Sequence, residues 1–367
     1  MKPRVLFRTH YQVDEPAYMG LLIKRCTSPV QSAYREVVAK RLATEIRARG
    51  KPFNVAAGGY AVDLARGLEV LTDQHVWSDR GHVVGLIAGV EGDNWERELA
   101  LTLPEKLLHF WLFLEADGAA LLFLARRLVD WGRLGDSESS WNTTAQEMFV
   151  SIFSDYLMII GNTSDRVKLR SEIDRLKVKG YEGKSGAHKA FVHLQTLHRL
   201  GLVNRASAAS SRVYEWQAGG DTTTGLVALL SAVPDVPTLE TVVKNRGWVH
   251  VAAKVFGISD KNRSTANKPS NEGLGAIFAT HYRRIAETNV PLVPLSTLTT
   301  ATQIHLLGGT PPIVASYEEL LDTMKMLQTR APKDIRFHVD RRGQPAFVRF
   351  SDSICEALAG SDLRSRG

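Results

Sequence analysis

Apolar residues recur at three- and four-residue spacing over most of the chain. The pattern predicts helices over about 30–49, 60–71, 103–115, 118–131, 144–159, 164–178, 186–200, 222–232, 237–256, 271–288, 297–307 and 316–329. Short alternating or apolar runs predict strands only at 75–78, 202–205, 212–217, 334–339 and 345–350. Gly-, Ser-, Asp- and Asn-rich stretches at 135–144, 205–212, 217–225 and 259–273 mark loops. The expected class is therefore mainly α, an α+β chain with small β-hairpins attached to helices.

One segment has a sharper grammar. In "FVHLQTLHRLGLVNR" the residues Phe191, Leu194, Leu197 and Leu200 form one apolar stripe. Gly201 stops the helix because it takes a left-handed backbone without a Cβ clash. Leu202 and Val203 begin a strand, residues 205–212 form a small polar tip, and Val213, Tyr214 and Trp216 return. Helix, glycine stop and hairpin over about 144–217 resemble the winged-helix–turn–helix superfamily. That resemblance implies that the face opposite the stripe enters the major groove of DNA. On this helix the face carries Lys184, Ser185, His188, Lys189, His193 and Thr196. Lys and Ser at the helix start suit phosphates. His188, His193 and Thr196 offer hydrogen bonds to base edges. Arg205 and Arg212 flank the tip, where a phosphate or the minor groove would lie.

Two further segments read similarly. Residues 59–87 give a helix with Leu64, Leu68 and Leu71 on one stripe, a strand with Val76 and Trp77, and a second helix opened by Ser78 or Asp79. Residues 296–350 give two helices, the second with Ser316 and Glu319 in capping-box positions, and then the alternating hairpin "DIRFHVDRRGQPAFVRF". Arg336, Arg341, Arg342 and Arg349 make this hairpin a basic wing. Glu318, Glu319 and Asp322 on the helix before it would be repelled by phosphate, so here the wing is the expected DNA contact. The chain is thus expected to hold two or three winged-helix units joined by helical segments. The expected divisions are 1–135, 136–220 and 221–367, the last ending in a winged-helix-like unit.

Charge adds a direction. The net charge is +7, and it is unevenly placed. Residues 51–150 hold 8 Lys/Arg and 15 Asp/Glu, residues 151–220 hold 11 and 6, and residues 330–350 hold 6 and 2. Segregated basic charge suggests a surface facing a polyanion, and packing of basic segments on the acidic block is the alternative. The exposed loop at 259–273, with Lys261, Arg263 and Lys268, could add an arm along a nucleic-acid backbone. The two cysteines, Cys26 and Cys355, fit a reducing cytosol better than a disulfide framework. No apolar core of signal-peptide length is expected at the N-terminus. The most apolar stretch, "LLHFWLFLEADGAALLFLARRLV", is interrupted by Glu115 and Asp117 and reads as a buried helix. Trp95, Trp111, Trp131 and Trp141 read as core anchors.

Catalytic patterns are weak. Glu182-x-Lys184 with Asp174 upstream has the spacing of one nuclease class, but it stands in a Gly-flanked loop. His188, His193 and His198 are five apart, which suits no metal on one helical face. No Walker A motif and no Gly-x-Ser-x-Gly elbow occurs, and "GLGAIF" lacks a third glycine and a preceding strand. The reading is a cytoplasmic, non-enzymatic protein without cofactor or metal that binds double-stranded DNA. One alternative is a protein-interaction or scaffold subunit of a larger assembly. Another is the DNA-recognition component of a restriction or defence nuclease system, because several winged helices in one chain are similar to the recognition modules of type IIS restriction enzymes.

Overall fold

One order of elements, helix, strand, helix, helix, strand, strand, is followed in the third part of the computed structural model, with one added helix in the second part and with isolated bridges in place of strands in the first. The structure describes residues 3–4, 6, 15–89, 101–135, 138–180, 186–206, 213–217, 223–258, 269–287 and 292–364, with backbone alone at 138–141, 186–189, 223 and 360–364. The first part runs from α1 (Ala17–Leu21), continued by a π-helical turn (Leu22–Cys26), through α2 (Arg35–Ala48) and α3 (Val55–Gly67). Its strands shrink to isolated bridges, Ser28 to Val76 and Leu71 to Trp77. After α4 (Asp79–Ile87), the second part starts in α5 (Leu103–Trp131). It continues through β1 (Arg133–Leu134), α6 (Glu138–Ile159), an extra helix α7 (Thr163–Lys179), α8 (Gly186–Arg199), β2 (Asn204–Arg205) and β3 (Tyr214–Glu215). Three linking helices follow, α9 (Thr223–Ala232), α10 (Val236–Lys244) and α11 (Trp248–Val255). The third part is α12 (Asn271–Ala286), β4 (Val293–Pro294), α13 (Leu295–Leu307), α14 (Tyr317–Arg330), β5 (Ile335–Val339) and β6 (Pro345–Phe350), closed by α15 (Asp352–Arg364). Both three-stranded sheets are antiparallel, with the strand order first, third, second.

The long apolar stretch is the axis of the fold. A capping box of Thr102 and Glu105 starts α5, and 89% of its most apolar window is buried inside the protein. The break expected at Glu115–Asp117 is present, because Asp117 leaves helical geometry (φ −145, ψ 25). Its carboxylate is fully buried. One oxygen accepts the Leu6 backbone N–H at 2.8 Å and the other pairs with His193 Nε2. A buried carboxylate needs such partners, since the interior offers no water to solvate it.

The larger hydrophobic core gathers residues from Leu6 to Val255 around α5 and is joined by Ile304, Leu307 and Val314, and a smaller one lies between α12, α13, α14 and the last sheet. Because β1 pairs with β3, the segments on either side of the expected 135/136 division share a sheet. The helix expected over 237–256 divides into α10 and α11, with Arg246 at φ 51 in the break. Trp111 is a core residue as expected, whereas Trp131 is exposed with the Arg127 guanidinium 4.4 Å above its ring.

Helices α2 and α3 meet with no space for a side chain at Gly58, where a Cβ would collide with the Ala39 carbonyl oxygen. Gly58→Ala is expected to lower stability by about 1–3 kcal/mol, measured by denaturant unfolding.

Burial also sets an acid limit. Desolvation lowers the His109 pKa to about 4, and desolvation aided by His305 and Arg284 lowers that of His281 to about 3. The unfolded chain takes up these protons below pH 6.5, while the folded protein resists them. Stability is therefore complete above pH 6.5 and falls as the pH drops toward the folded values, by up to about 1.4 kcal/mol per pH unit for each ring. In His281→Leu the stability difference between pH 7.5 and pH 5 should shrink by about 2 kcal/mol, read from denaturant midpoints.

Candidate nucleic-acid interface

The β5–β6 hairpin carries the most exposed cluster of guanidiniums built on a regular element. Register places Arg336 opposite Arg349 and His338 opposite Phe347. All four side chains are exposed, while Ile335, Val348 and Phe350 on the other face are buried. This is the two-residue alternation of a half-buried strand. Like charges directly across a strand pair repel, and neither Arg336 nor Arg349 has a carboxylate within ion-pair distance among the described residues.

The hairpin tip is held by Asp340, whose carboxylate accepts the backbone N–H of Arg342 at 2.8 Å and of Gln344 at 3.0 Å. These donors, Gln344 first, hold the Asp340 carboxyl below the usual carboxylate range. The negative charge is spent on backbone, and the Arg341 and Arg342 side chains stand in solvent. At the base of the hairpin Lys333, Arg336 and Arg349 line a groove of about 480 Å³ floored by Tyr282 and Phe350, whose rings stack at 4.9 Å. Asp334 also lines it, and its carboxylate accepts the Ser351 and Ser353 hydroxyls. The preceding helix, α14, neutralises itself. Glu319 closes the capping box with Ser316, Lys325 pairs with Asp322 at 3.0 Å, and Arg330 pairs with Glu272 of α12 at 2.8 Å.

The helix expected to read bases is placed otherwise. The stripe of Phe191, Leu194, Leu197 and Leu200 is buried as expected, but so is the opposite face. His193 is 0% exposed and pairs with Asp117. Thr196 is 1% exposed and donates its hydroxyl to the Val192 carbonyl at 2.8 Å. Gln195 accepts the Tyr214 hydroxyl at 2.6 Å, and both Gln195 and Arg199 bond Glu15. The expectation of base contacts by His193 and Thr196 is therefore overturned. The long helix and the segment before α1 cover that face, and each polar group has an internal partner. Arg205 is half-buried at the end of β2, and its charge acts on the His198 ring. Lys184, Ser185 and Arg212 lie outside the described residues, as do the side chains of His188 and Lys189.

A second basic surface was not singled out by sequence. Helix α7 carries six basic and three acidic residues and buries only Ile173 and Leu176. Lys168, Arg170, Lys177 and Lys179 are exposed. The signal was present in the density of charge and the scarcity of apolar positions over 163–179.

Other candidate chemistry does not assemble. Glu182 and Lys184 fall outside the described residues, and Asp174 is exposed on α7. No group of three or more His, Cys, Asp or Glu is placed to hold a metal ion among the described residues. Both cysteines are buried and free. Comparisons with protein-family models, with curated proteins and with solved structures give no match to this chain.

Proposed function

We propose that the chain binds double-stranded DNA without catalysing a reaction, and that the three parts following this element order are winged-helix units. In this reading the β5–β6 hairpin is the wing that engages the duplex. One observation carries it: Arg336, Arg341, Arg342 and Arg349 stand exposed on one hairpin, without carboxylate partners among the described residues. Guanidiniums so placed suit phosphate oxygens, to which they donate paired hydrogen bonds. The strand order of the sheet and the position of the hairpin after two helices support the winged-helix assignment. Helix α7 supplies further phosphate contacts through Lys168, Arg170, Lys177 and Lys179. Base readout is not assigned to the 190–199 segment, whose polar groups face inward.

The test is a salt titration of binding to a random duplex, to single-stranded DNA and to RNA. Expected is tight duplex binding that weakens linearly with the logarithm of salt concentration, with a slope of about 0.9 per phosphate contact. A salt-independent interaction, or none, rejects the reading and favours a protein-docking scaffold. Strand cleavage on adding a divalent metal would instead indicate a nuclease.

A further inference from the structure

A cleft of about 600 Å³ opens between the N-terminal segment, α5, the α10–α11 link and α13. It is remote from the wing in composition, sharing no lining residue with the groove beside the hairpin. Its size suits a small organic ligand.

The cleft holds polar atoms that the protein itself leaves unmet. Arg246 Nη1 and Thr297 Oγ1 line it, are shielded from solvent, and have no hydrogen-bond partner among the described residues, while Trp111 Nε1 faces the Glu115 carboxylate. Trp111 and Thr297 are 5% and 2% exposed. A buried polar group without a partner costs about 1–3 kcal/mol, so two in one cleft call for an explanation. The kind of atom defines the missing partner. A guanidinium can only donate, and a threonine hydroxyl can donate. Their common complement is an acceptor with several lone pairs.

The lining holds two guanidiniums, Arg80 and Arg246, and three carboxyls, Glu69, Asp79 and Glu115. Burial raises the Glu115 carboxyl above the usual range, against a smaller downward pull from Arg80, Trp111, Arg4 and Arg246. Arg80 binds it at 3.1 Å and also reaches Glu69 at 3.4 Å. Asp79, the remaining acid of the cleft, is likewise pushed up by burial. The Trp111 N–H acts on the Glu115 carboxylate as a hydrogen-bond donor and pulls that carboxyl down. Arg246 makes no ion pair within 4 Å among the described residues, and its guanidinium lies 4.1 Å over the Tyr317 ring. Its backbone is held in the left-handed region at φ 51, which a non-glycine residue adopts at a cost.

The first turns of α11 and α13 also line the cleft, through Trp248 and through Ser296 and Thr297. Neither helix has a side-chain cap. Free N–H groups and the positive end of the helix dipole favour an anion at such ends.

We infer that this cleft binds a small molecule bearing an oxyanion, a phosphate or a carboxylate, with the anion between Arg246 and Thr297. Trp77 and Trp248 give the rest of the molecule an apolar wall. The inference does not rest on DNA binding.

The experiment is isothermal calorimetry of the full chain, at fixed ionic strength, with inorganic phosphate, a nucleoside monophosphate and citrate. The expected result is saturable one-to-one binding of at least one probe. Preference for the nucleotide over phosphate would identify the tryptophan wall as part of the site, and preference for citrate would identify a carboxylate ligand. Arg246→Gln should weaken binding about tenfold or more. Thr297→Val should also weaken it, while leaving the unliganded protein as stable as before or more so, because it removes an unmet buried hydroxyl. Arg341→Ala with Arg342→Ala should leave probe binding unchanged, which separates this site from the wing. The proposal is overturned if no probe gives a saturable signal at millimolar concentration. It is equally overturned if binding persists undiminished in Arg246→Gln or, should that variant not fold, in Thr297→Val.

Discussion

Asp117→Ala is expected to destabilise the protein by about 3–5 kcal/mol, the usual consequence of removing one partner from a buried hydrogen-bonded pair that includes a carboxylate. The carboxylate has two roles inside the fold. It accepts the Leu6 backbone N–H, which ties the N-terminal segment to α5, and it pairs with His193 of α8. Removing it leaves two donors buried in apolar surroundings. The same pair gives a contrast for His193. If that ring read a base edge, His193→Ala would change sequence preference and spare stability. Fully buried and paired with Asp117, it should instead lose several kcal/mol in denaturant unfolding, with preference among duplex sequences unchanged at temperatures where the variant stays folded. A variant of wild-type stability with altered preference would contradict the internal placement of α8.

The second large effect belongs to the wing. Replacing Arg341 and Arg342 together by alanine should weaken duplex binding about tenfold per lost contact near 0.1 M salt and reduce the salt slope by about two. The loss should be uniform across sequences, because phosphate contacts position a protein without reading bases. Stability should be nearly unchanged, since both side chains are solvated and the turn is held by Asp340 through backbone donors. Binding and slope equal to wild type would remove the hairpin from the interface.

The hairpin and its neighbours were legible because their signals are local. Alternation over 334–350 fixes which residues face the core once one face is apolar, and Ile335, Val348 and Phe350 are buried while Arg336 and Arg349 are exposed. Ser316 and Glu319 form the expected capping box. The break near Asp117 was foreshadowed by two acids in an apolar run. The division of 237–256 was less visible, because the apolar spacing continues through Asn245, Arg246 and Gly247 with little disturbance.

Helix α8 shows where local reading ends. A stripe of leucines says which face must be buried, but it cannot say that the other face is free. Val192 among the polar positions was a small warning, and Asp117, an acid in an apolar run seventy-six residues earlier, was a larger one. Neither could be joined to the other without the fold.

The sequence alone thus determined the mainly helical character, most element positions, the helix-terminating Gly201 and the basic face of the last hairpin. Each depends on spacing, backbone freedom or charge within a few consecutive residues. Tertiary structure decided that His193 and Thr196 are interior, that α7 is the open basic helix, and that Trp111, Arg246 and Thr297 meet in one cleft. Those outcomes depend on which surfaces cover one another, a matter of contacts between residues far apart in the chain.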